Sequence, residues 1–518
     1  MLSHPRSNLA AVLGLLLVVL YLSWDGLSQP TIEGIDGAHH VMDGVFFRDF
    51  YVDLPFDSLG SYPFDYYAQY PALGFIFWPP VYPMVEGLFF LLAGEINLFV
   101  SQLCMLFFAC MAMLAGFFLL RPRFGPGLSC LAMISLFGIS EFIKYQNQVR
   151  LEVPTIAVGL CFLLSYQGLL SRAKPEYWRL CCFSLLGAIA IYTKQTAFPI
   201  LLAVCLDLLL HRRQLLRQPR FLASGAALVL LLVPLALFTL KYGKSNIAQS
   251  VGSGTATIME GYESAARFSL ESWLFYPSGL WEFVNPLILL LAVLGSVLCI
   301  TQREFRRANT LWLAWAACFY LAFSYFDNRT LRFTVLLYPP LVFLAAGALQ
   351  WLLQLPRLAA KRTLILGCLL LASGGLALRN ESRHVLAGFR DVGAVMAPLK
   401  IEAARGNLAY LGRFRQLFVY HFRKEDPRRE HHFLQADDIL SGQPELLEQL
   451  SKYRVQYILV ESTQLEMLER LRAAPEGIRV HAEHELHSPR ESLKLTIFEF
   501  TGELAPTMAA PPLKTKLL

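Results

Sequence analysis

Blocks of apolar residues long enough to cross a lipid bilayer are the feature that most constrains this chain. A bilayer core requires about 20 apolar residues per helix. Only 16% of the residues are charged, whereas soluble proteins usually carry about 25%. The sequence therefore predicts a polytopic α-helical membrane protein with about eleven transmembrane helices, in blocks near 8–24, 98–120, 126–142, 152–171, 179–194, 195–210, 221–240, 283–302, 308–326, 333–355 and 363–379.

Three blocks allow more than one interpretation. The first could be a signal peptide, but no clear small-residue cleavage site follows it, which favours an uncleaved helix. Basic residues flank both ends of the 180–210 stretch, which favours a hairpin that turns near Lys194. The 81–94 block is short and contains Glu86, so we interpret it as a helix at the membrane surface.

The distribution of Lys and Arg predicts the orientation. With the amino terminus inside, the short inner segments carry 16 basic residues, and the much longer outer segments carry 9. Cytoplasmic loops are the ones enriched in Lys and Arg. Loops 25–97 and 241–282, the segment 327–332 and the whole carboxyl-terminal tail are then predicted on the outer side.

The domain prediction follows from these patterns. Residues 1–379 form the transmembrane domain, with the first outer loop at 25–97 carrying surface helices. Strand-like runs at 407–411, 455–460, 478–482 and 494–500 alternate with helical patterns, which predicts a small outer α/β domain over 380–503. Residues 504–518 are expected to be disordered.

The first outer loop is rich in carboxylates and aromatic rings, a combination that suits sugar binding but also suits simple anchoring at the membrane interface. Asp36, in GIDGAHH, could be a general base for an acceptor hydroxyl. It could equally be a helix N-cap. Asp49 is a weaker hypothesis for a second carboxylate. Tyr82 follows Trp78-Pro79-Pro80, where it could shape the site or only begin a rigid helix.

Basic residues on the predicted outer side are candidates for binding an anion. Lys194 lies at the hairpin turn, and Arg329 and Arg332 are expected three residues apart on one helical face. Each could instead snorkel towards the interface. Arg150 and the nearby Glu141, Lys144 and Glu152 could line the same cavity or pair with one another.

A metal site has little support in the sequence. All ten cysteines lie in apolar blocks, which is typical of small buried side chains and predicts neither a disulfide framework nor a cysteine metal site. His39 and His40 are adjacent, so they do not face each other in a helix. We expect no metal and no cofactor, and a divalent metal is the unfavoured alternative.

The order of these parts resembles the C-type glycosyltransferases, in particular bacterial proteins akin to protein O-mannosyltransferases and lipid A aminoarabinose transferases. The stretches that carry the resemblance are GIDGAHHVMDGVFFRDFY (34–51), FWPPVYPMVEGLFFLLAG (77–94), Thr193-Lys194-Gln195 and LRFTVLLYPPLVFLAAG (331–347). It spans about residues 25–350, and the tail resembles the outer α/β domain of many members.

This resemblance implies an enzyme that transfers a sugar from a polyprenyl-phosphate donor, with inversion, to an acceptor hydroxyl. Asp36 matches the acid of the family's first loop. Gly37 stands where many members carry a second acid, which leaves the role of a paired acid open. The residues that bind the donor phosphate would be Arg332, Arg329 and Lys194. Substrate-binding candidates are Asp49, Tyr82, His39 and Arg150.

Two other functions compete with this hypothesis: a transporter or lipid flippase, and an assembly protein that binds through its tail. A transporter usually shows internal repeats or polar groups at mid-membrane, and the apolar blocks show neither. The expected partners are the membrane, the lipid-linked donor and a lipid, glycan or protein acceptor, with no nucleic acid. The predicted location is a bacterial inner membrane with the tail in the periplasm.

Overall fold

The computed structural model describes residues 5–171, 176–244, 247, 263–264, 267–402, 406–440, 445–474 and 476–509. Residues 245–246, 248–262 and 265–266 of the predicted outer loop 241–282, and the last nine residues of the predicted disordered tail, lie outside these ranges. The chain forms two compact units, which are described separately. Unit 1 consists of Met1–Leu27, Ile76–Tyr82 and Met105–His384, and unit 2 of Ser28–Phe75, Pro83–Cys104 and Val385–Leu518.

The first half of the chain is helical. Its helices are α1 (Pro5–Leu22), α2 (Trp24–Ser28), α3 (Gly34–Asp53), α4 (Tyr62–Gln69), α5 (Val81–Ala93), α6 (Leu98–Phe137), α7 (Ser140–Gln146), α8 (Glu152–Leu170), α9 (Tyr177–Thr193), α10 (Phe198–His211), α11 (Arg213–Leu216) and α12 (Pro219–Tyr242). Short 3₁₀ helices span Phe56–Ser58 and Gln195–Ala197.

The next part carries a two-stranded ribbon and the remaining apolar helices. Its elements are β1 (Glu263–Ser264), α13 (Leu270–Phe283), α14 (Pro286–Thr301), α15 (Arg303–Tyr325), β2 (Asn328–Arg329), a 3₁₀ helix (Leu331–Leu337), α16 (Tyr338–Leu353), α17 (Pro356–Ala359) and α18 (Arg362–Glu381). Asn285 Oδ1 caps α14 by accepting a hydrogen bond of 2.9 Å from the backbone N–H of Leu287, as its position before a proline favours.

Among the described helices, five are long and apolar enough to cross a membrane: Leu98–Phe137, Glu152–Leu170, Pro219–Tyr242, Leu331–Leu352 and Arg362–Glu381. Shorter apolar helices span Asn8–Leu22, Val81–Ala93, Tyr177–Thr193, Gln195–His211 and Pro286–Thr301. A mostly helical protein with several apolar helices is thus confirmed, while the count of eleven spans stays a prediction.

Two local features show how the sequence sets the helix ends. The blocks predicted at 98–120 and 126–142 form the long helix α6, interrupted at Gly125, whose φ is 75°. A glycine tolerates this conformation, and the flanking Pro122 and Pro126 weaken the helix there. The predicted break at Lys194 is confirmed, because its φ of −161° and ψ of 131° are extended and separate α9 from α10.

The tail carries α19 (Val392–Glu402), β3 (Asn407–Leu411), α20 (Arg415–Glu425), β4 (Phe433–Gln435), α21 (Ala436–Leu440), α22 (Leu446–Lys452), β5 (Val455–Glu461), α23 (Leu465–Arg472), β6 (Ile478–His487) and β7 (Ser492–Phe500). The strands form a five-stranded sheet in the order β4-β3-β5-β7-β6. β4, β3 and β5 are parallel, and β7 is antiparallel to both β5 and β6.

The strand predictions in the tail are confirmed, but the onset of disorder is not. Residues 504–509 form no helix or strand, yet the backbone N–H groups of Ala505 and Ala509 donate to the carbonyls of Ser451 and Lys452, each at 3.1 Å. Met508 also packs against the hydrophobic core of the sheet. These contacts hold a segment that the sequence alone could not distinguish from a solvated terminus.

Candidate functional site

A buried carboxylate, Glu152, is the centre of a basic cluster in unit 1. Lys194 Nζ donates to Glu152 Oε1 at 2.6 Å. The Arg332 guanidinium lies beside the same oxygen, with Nε at 3.1 Å. The Glu152 side chain is 1% exposed and that of Lys194 is 6% exposed. Two cationic side chains therefore meet at one carboxylate oxygen, and we call these three residues the Glu152 cluster.

Each member of the Glu152 cluster lies where a helix begins or ends. Glu152 is the first residue of α8, Lys194 is the extended residue after α9, and Arg332 lies in the 3₁₀ helix Leu331–Leu337. The ring of Phe333 packs beside both cations, with its centroid 5.6 Å from Lys194 Nζ and 5.7 Å from Arg332 Cζ. Lys194 and Arg332, which the sequence analysis names as candidate phosphate ligands, therefore lie beside the same carboxylate.

The Glu152 cluster carries an excess of positive charge. Arg150, two residues before Glu152, is also within electrostatic range of this carboxylate. Two or three cations therefore surround one carboxylate in a buried environment, where charges interact more strongly than in water. Guanidinium and ammonium groups are usual ligands of phosphate, so the Glu152 cluster is a candidate site for such an anion.

The placement of Arg329 differs from the prediction. It lies in β2, which pairs with β1, so Arg329 and Arg332 do not share a helical face. Thr330, with φ −143° and ψ 137°, is extended and separates the two residues. The Arg329 guanidinium donates to the carbonyl of Ser324 at 3.3 Å, and burial lowers its pKa. These contacts support a structural role.

The other charged residues near α7 pair locally. Lys144 Nζ lies 3.1 Å from Glu141 Oε2, one turn earlier in the same helix. The hypothesis that these residues neutralise one another therefore holds for Lys144 and Glu141. It does not hold for Glu152, which instead pairs with residues distant in the sequence.

In unit 2, Asp36 lies inside a helix rather than before it. Helix α3 begins at Gly34 with Glu33 as its N-cap, so Asp36 is in the first turn. The N-cap hypothesis for Asp36 is wrong because the helix starts three residues earlier than the sequence pattern predicted. A carboxylate in this position interacts favourably with the positive end of the helix dipole. Asp36 is partly exposed.

His39 follows Asp36 by one helical turn and faces the same side of α3. Its Nδ1 lies 2.7 Å from the carbonyl of Ala72, which accepts a hydrogen bond from this nitrogen. Burial lowers the pKa of His39, against the opposing influences of this hydrogen bond and of Asp36. The ring is therefore held as a neutral donor through Nδ1 at pH 7.

Asp49 is fully engaged within unit 2. Arg423 binds it through Nη2 at 2.8 and 2.7 Å and Nε at 3.1 Å. Tyr66 Oη donates to Asp49 Oδ2 at 2.7 Å, and Arg48 Nη1 to Oδ1 at 2.8 Å. The side chain is 1% exposed. Asp49 therefore lacks an accessible oxygen for a substrate, which corrects its place among the candidates.

Tyr82 is also an interior residue. Its side chain is completely buried, and its ring lies 5.8 Å from that of Phe108 in unit 1. The alternative in which the residues after Trp78-Pro79-Pro80 begin a rigid helix agrees with this packing, because α5 starts at Val81. A substrate contact through Tyr82 is not supported.

Two buried carboxyl groups, those of Asp43 and Glu86, are not among the site residues predicted from the sequence. Asp43 and Glu86 are both completely buried in unit 2. Glu86 packs on Gly44, where an added Cβ would clash with the Glu86 carboxylate. Asp43 Oδ1 accepts a hydrogen bond of 2.8 Å from the backbone N–H of Gly74. Burial raises the pKa of Asp43 well above its ordinary value, although this hydrogen bond opposes the shift, and Glu86 raises it further.

The described residues contain no group of three or more His, Cys, Asp and Glu side chains that could hold a metal ion. His39 donates through one ring nitrogen to the backbone.

A family model described as dolichyl-phosphate-mannose-protein mannosyltransferase matches residues 78–238. Among curated proteins, no sequence gives a significant match. The fold resembles the crystal structure of ArnT from Cupriavidus metallidurans bound to undecaprenyl phosphate, with a TM-score of 0.61 and 13% identity, over 97% of this chain and 100% of that chain.

A second similar structure is the archaeal oligosaccharyltransferase AglB from Archaeoglobus fulgidus, in complex with an inhibitory peptide and a dolichol-phosphate. The TM-score is 0.55 and the identity 10%, over 95% of this chain and 74% of that chain. The chain therefore has the fold of the C-type membrane glycosyltransferases, and the resemblance drawn from its sequence is confirmed. Both relatives were solved with a polyprenyl phosphate or dolichol phosphate bound.

Proposed function

We propose that the protein is an integral membrane glycosyltransferase that moves a sugar from a polyprenyl-phosphate donor to an acceptor hydroxyl. The observation that carries this proposal is the Glu152 cluster, two cations at one buried carboxylate, in a fold whose relative binds undecaprenyl phosphate. The match of residues 78–238 to a mannosyltransferase family supports the same class of reaction.

Lys194 and Arg332 are the proposed ligands of the donor phosphate. As the bond between sugar and phosphate breaks, negative charge accumulates on the departing polyprenyl phosphate. Fixed cations that stabilise this charge lower the barrier, because they need little reorganisation during the reaction. Glu152 would hold both side chains in place before the donor binds. With the leaving group stabilised in this way, no general acid is required.

Asp36 is the proposed general base. Its carboxylate would accept the proton of the acceptor hydroxyl as the oxygen attacks the anomeric carbon. A single displacement forms the new glycosidic bond on the face opposite the leaving phosphate, so the configuration is inverted. His39, on the same side of α3, is a neutral neighbour of Asp36.

The proposed location is the outer face of a bacterial inner membrane, which the distribution of basic residues supports. In this orientation the amino terminus is cytoplasmic, and residues 380–503 form a periplasmic α/β domain. The acceptor is a hydroxyl of a lipid, a glycan or a protein that reaches this face.

The test is a comparison of wild type with Asp36→Asn in membranes supplied with polyprenyl-phosphate sugars. Consumption of each donor is followed by mass spectrometry. We expect Asp36→Asn to lower the rate by about 10²–10⁴-fold, the usual contribution of a general base. Asp57→Asn is the matched control, because Asp57 is an exposed acid of the same outer loop.

Two results would contradict the proposal at different points. A stably inserted Asp36→Asn protein with full activity removes Asp36 from the mechanism but leaves the transferase intact. A wild-type protein that consumes no donor from a broad panel, yet moves lipid or solute across vesicles, favours the transporter and ends the proposal.

A further inference from the structure

A second basic site lies in unit 1, in a cavity of about 720 Å³. Four arginines line it: Arg123, Arg179, Arg212 and Arg307. They come from α6, α9, the residue after α10, and α15. These arginines belong to four separate segments that the charge distribution assigns to the cytoplasmic side, whereas the Glu152 cluster belongs to segments assigned to the outer side.

The lining carries more positive than negative charge. Asp207 is the carboxylate of the cavity lining among the described residues, and Tyr166 Oη donates to its Oδ2 at 2.7 Å. Arg179 also pairs with Glu176, with its Nε at 3.2 Å from Oε2. Even with these contacts, four guanidinium groups outnumber the acids around them.

The guanidinium of one of the four arginines, Arg123, is fixed in position by hydrogen bonds to neighbouring residues. Arg123 Nη1 donates to Asn309 Oδ1 at 2.8 Å and to the carbonyl of Ala308. Asn309 is itself fixed, since its Nδ2 donates to the carbonyl of Phe305 at 3.0 Å. This arrangement orients a guanidinium at the wall of the cavity, whereas arginines that serve only to orient a helix in the membrane need no such support.

The remaining walls are apolar and include Phe118, Leu119 and Trp312. A pocket of this size is within the range of small-molecule sites, about 300–1,000 Å³. Clustered guanidinium groups beside apolar walls suit a ligand that combines a phosphate with hydrocarbon. We propose that this cavity binds a phosphate-bearing anion, supplied either by an anionic phospholipid headgroup of the adjacent leaflet or by a soluble phosphate.

The abundance of arginine on the cytoplasmic side of membrane proteins is the competing explanation, since it requires no ligand. It predicts that any two arginines from these segments contribute equally to anion binding. A specific site predicts that only the arginines lining the cavity contribute. Arg212 and Arg307 line it and are exposed, whereas Arg217 and Arg303 are exposed arginines of the same two segments outside it.

The experiment uses the full chain in detergent and native mass spectrometry. Wild type, Arg212→Gln/Arg307→Gln and the control Arg217→Gln/Arg303→Gln are titrated with dioleoyl phosphatidylglycerol and, separately, with dioleoyl phosphatidylcholine. The two variants lose the same charge. We expect the cavity variant to bind phosphatidylglycerol roughly 30-fold more weakly than wild type, from the usual contribution of two basic residues, and the control to match wild type.

A parallel arm uses inorganic phosphate and thermal unfolding without added lipid. Stabilisation of wild type and control, but not of the cavity variant, assigns the site to a soluble phosphate. If inorganic phosphate stabilises none of the proteins and phosphatidylglycerol binds selectively, the site is assigned to the lipid headgroup. Equal losses in both variants, or no loss in the cavity variant in either arm, would overturn the proposal.

Discussion

Two buried carboxylates, Asp49 in unit 2 and Glu152 in unit 1, each have two cationic neighbours but differ in how their two oxygens are bound. Asp49 accepts hydrogen bonds at both oxygens, from Arg423, Arg48 and Tyr66. Glu152 concentrates two cations on Oε1, and its Oε2 accepts no hydrogen bond from the described residues. Both side chains are 1% exposed.

This contrast separates a structural ion pair from a candidate ligand site. A buried carboxylate that is bound on both oxygens by fixed donors holds two segments together and has no capacity for a further ligand. Two cations that meet at one carboxylate oxygen, with the other oxygen accepting no hydrogen bond from the described residues, form a candidate site for an anion. Neither burial nor the number of cations distinguishes the two cases, but the hydrogen bonds at the two carboxylate oxygens do.

The largest expected effect tests the structural side of the comparison. Arg423→Met leaves the buried Asp49 without its bidentate partner, and losing one member of a buried pair costs about 3–5 kcal/mol. We expect a clear decrease in the thermal unfolding temperature of the purified protein in detergent. Arg428→Met is the control, because Arg428 is 84% exposed and lies 3.8 Å from Glu430.

A second substitution sharpens this test. In Arg423→Met/Asp49→Asn, no buried charge is left uncompensated, so much of the lost stability should return. If the double variant is as unstable as Arg423→Met alone, the packing of Arg423 matters more than its charge.

The next largest effect tests the Glu152 cluster as a site for the donor phosphate. Arg332→Gln removes a cation that we propose stabilises the departing phosphate, and losing one such donor lowers the rate by about 10²–10³-fold. Stability should change little, because Glu152 keeps Lys194 as its partner. Consumption of the lipid-linked donor per folded protein is the measurement, with exposed Arg303→Gln as control.

The reverse pattern would break the comparison. An Arg332→Gln protein that unfolds readily but retains full activity per folded molecule would make the Glu152 cluster a structural ion pair like that of Asp49.

A third carboxyl group, Asp43, should make stability depend on pH. Burial and Glu86 raise its pKa well above 3.8, so the folded protein holds this proton more tightly than the unfolded chain. This contribution is fully present below pH 3.8 and is lost as the pH rises through the raised pKa. Asp43→Asn keeps an oxygen for the Gly74 N–H and should flatten this part of the profile of unfolding temperature against pH.

One result of this pH series would contradict the prediction for Asp43. If wild type and Asp43→Asn change in parallel across the whole range, the proton on Asp43 contributes nothing to folding and Glu86 is not its electrostatic partner.

The smallest effect compares an exposed ion pair with the buried one in the same unit. Asp53 pairs with Arg429 and accepts a hydrogen bond of 2.7 Å from Tyr62. Burial opposes the shift, but Arg429 and Tyr62 lower the pKa of Asp53 overall. Because both partners are over a fifth exposed, Asp53→Asn should cost only about 0–1 kcal/mol.

The contribution of this pair should also follow pH with the opposite sign to that of Asp43. It is present above pH 3.8 and is lost as the pH falls through the lowered pKa of Asp53. If Asp53→Asn lowers the unfolding temperature as strongly as Arg423→Met does, exposure is a poor guide to the strength of these ion pairs.

The sequence by itself determined the features that are local in the chain. Long apolar runs specify helices because the backbone must satisfy its own hydrogen bonds in lipid. Strand-like runs located the strands of the tail, and the basic residues at both ends of the 180–210 stretch located the break at Lys194. The order of short motifs in the sequence was sufficient to indicate the resemblance to the C-type glycosyltransferase fold.

Only the tertiary structure decided what each charged residue does. Arg423 lies 374 positions from Asp49 in the chain, and Lys194 and Arg332 come from elements far apart in sequence, yet each meets its carboxylate in the folded state. Local patterns predicted Asp49 as a substrate ligand and Arg329 with Arg332 on one face, and both predictions were wrong. A carboxylate's role depends on which donors surround it, and that is set by packing between distant segments.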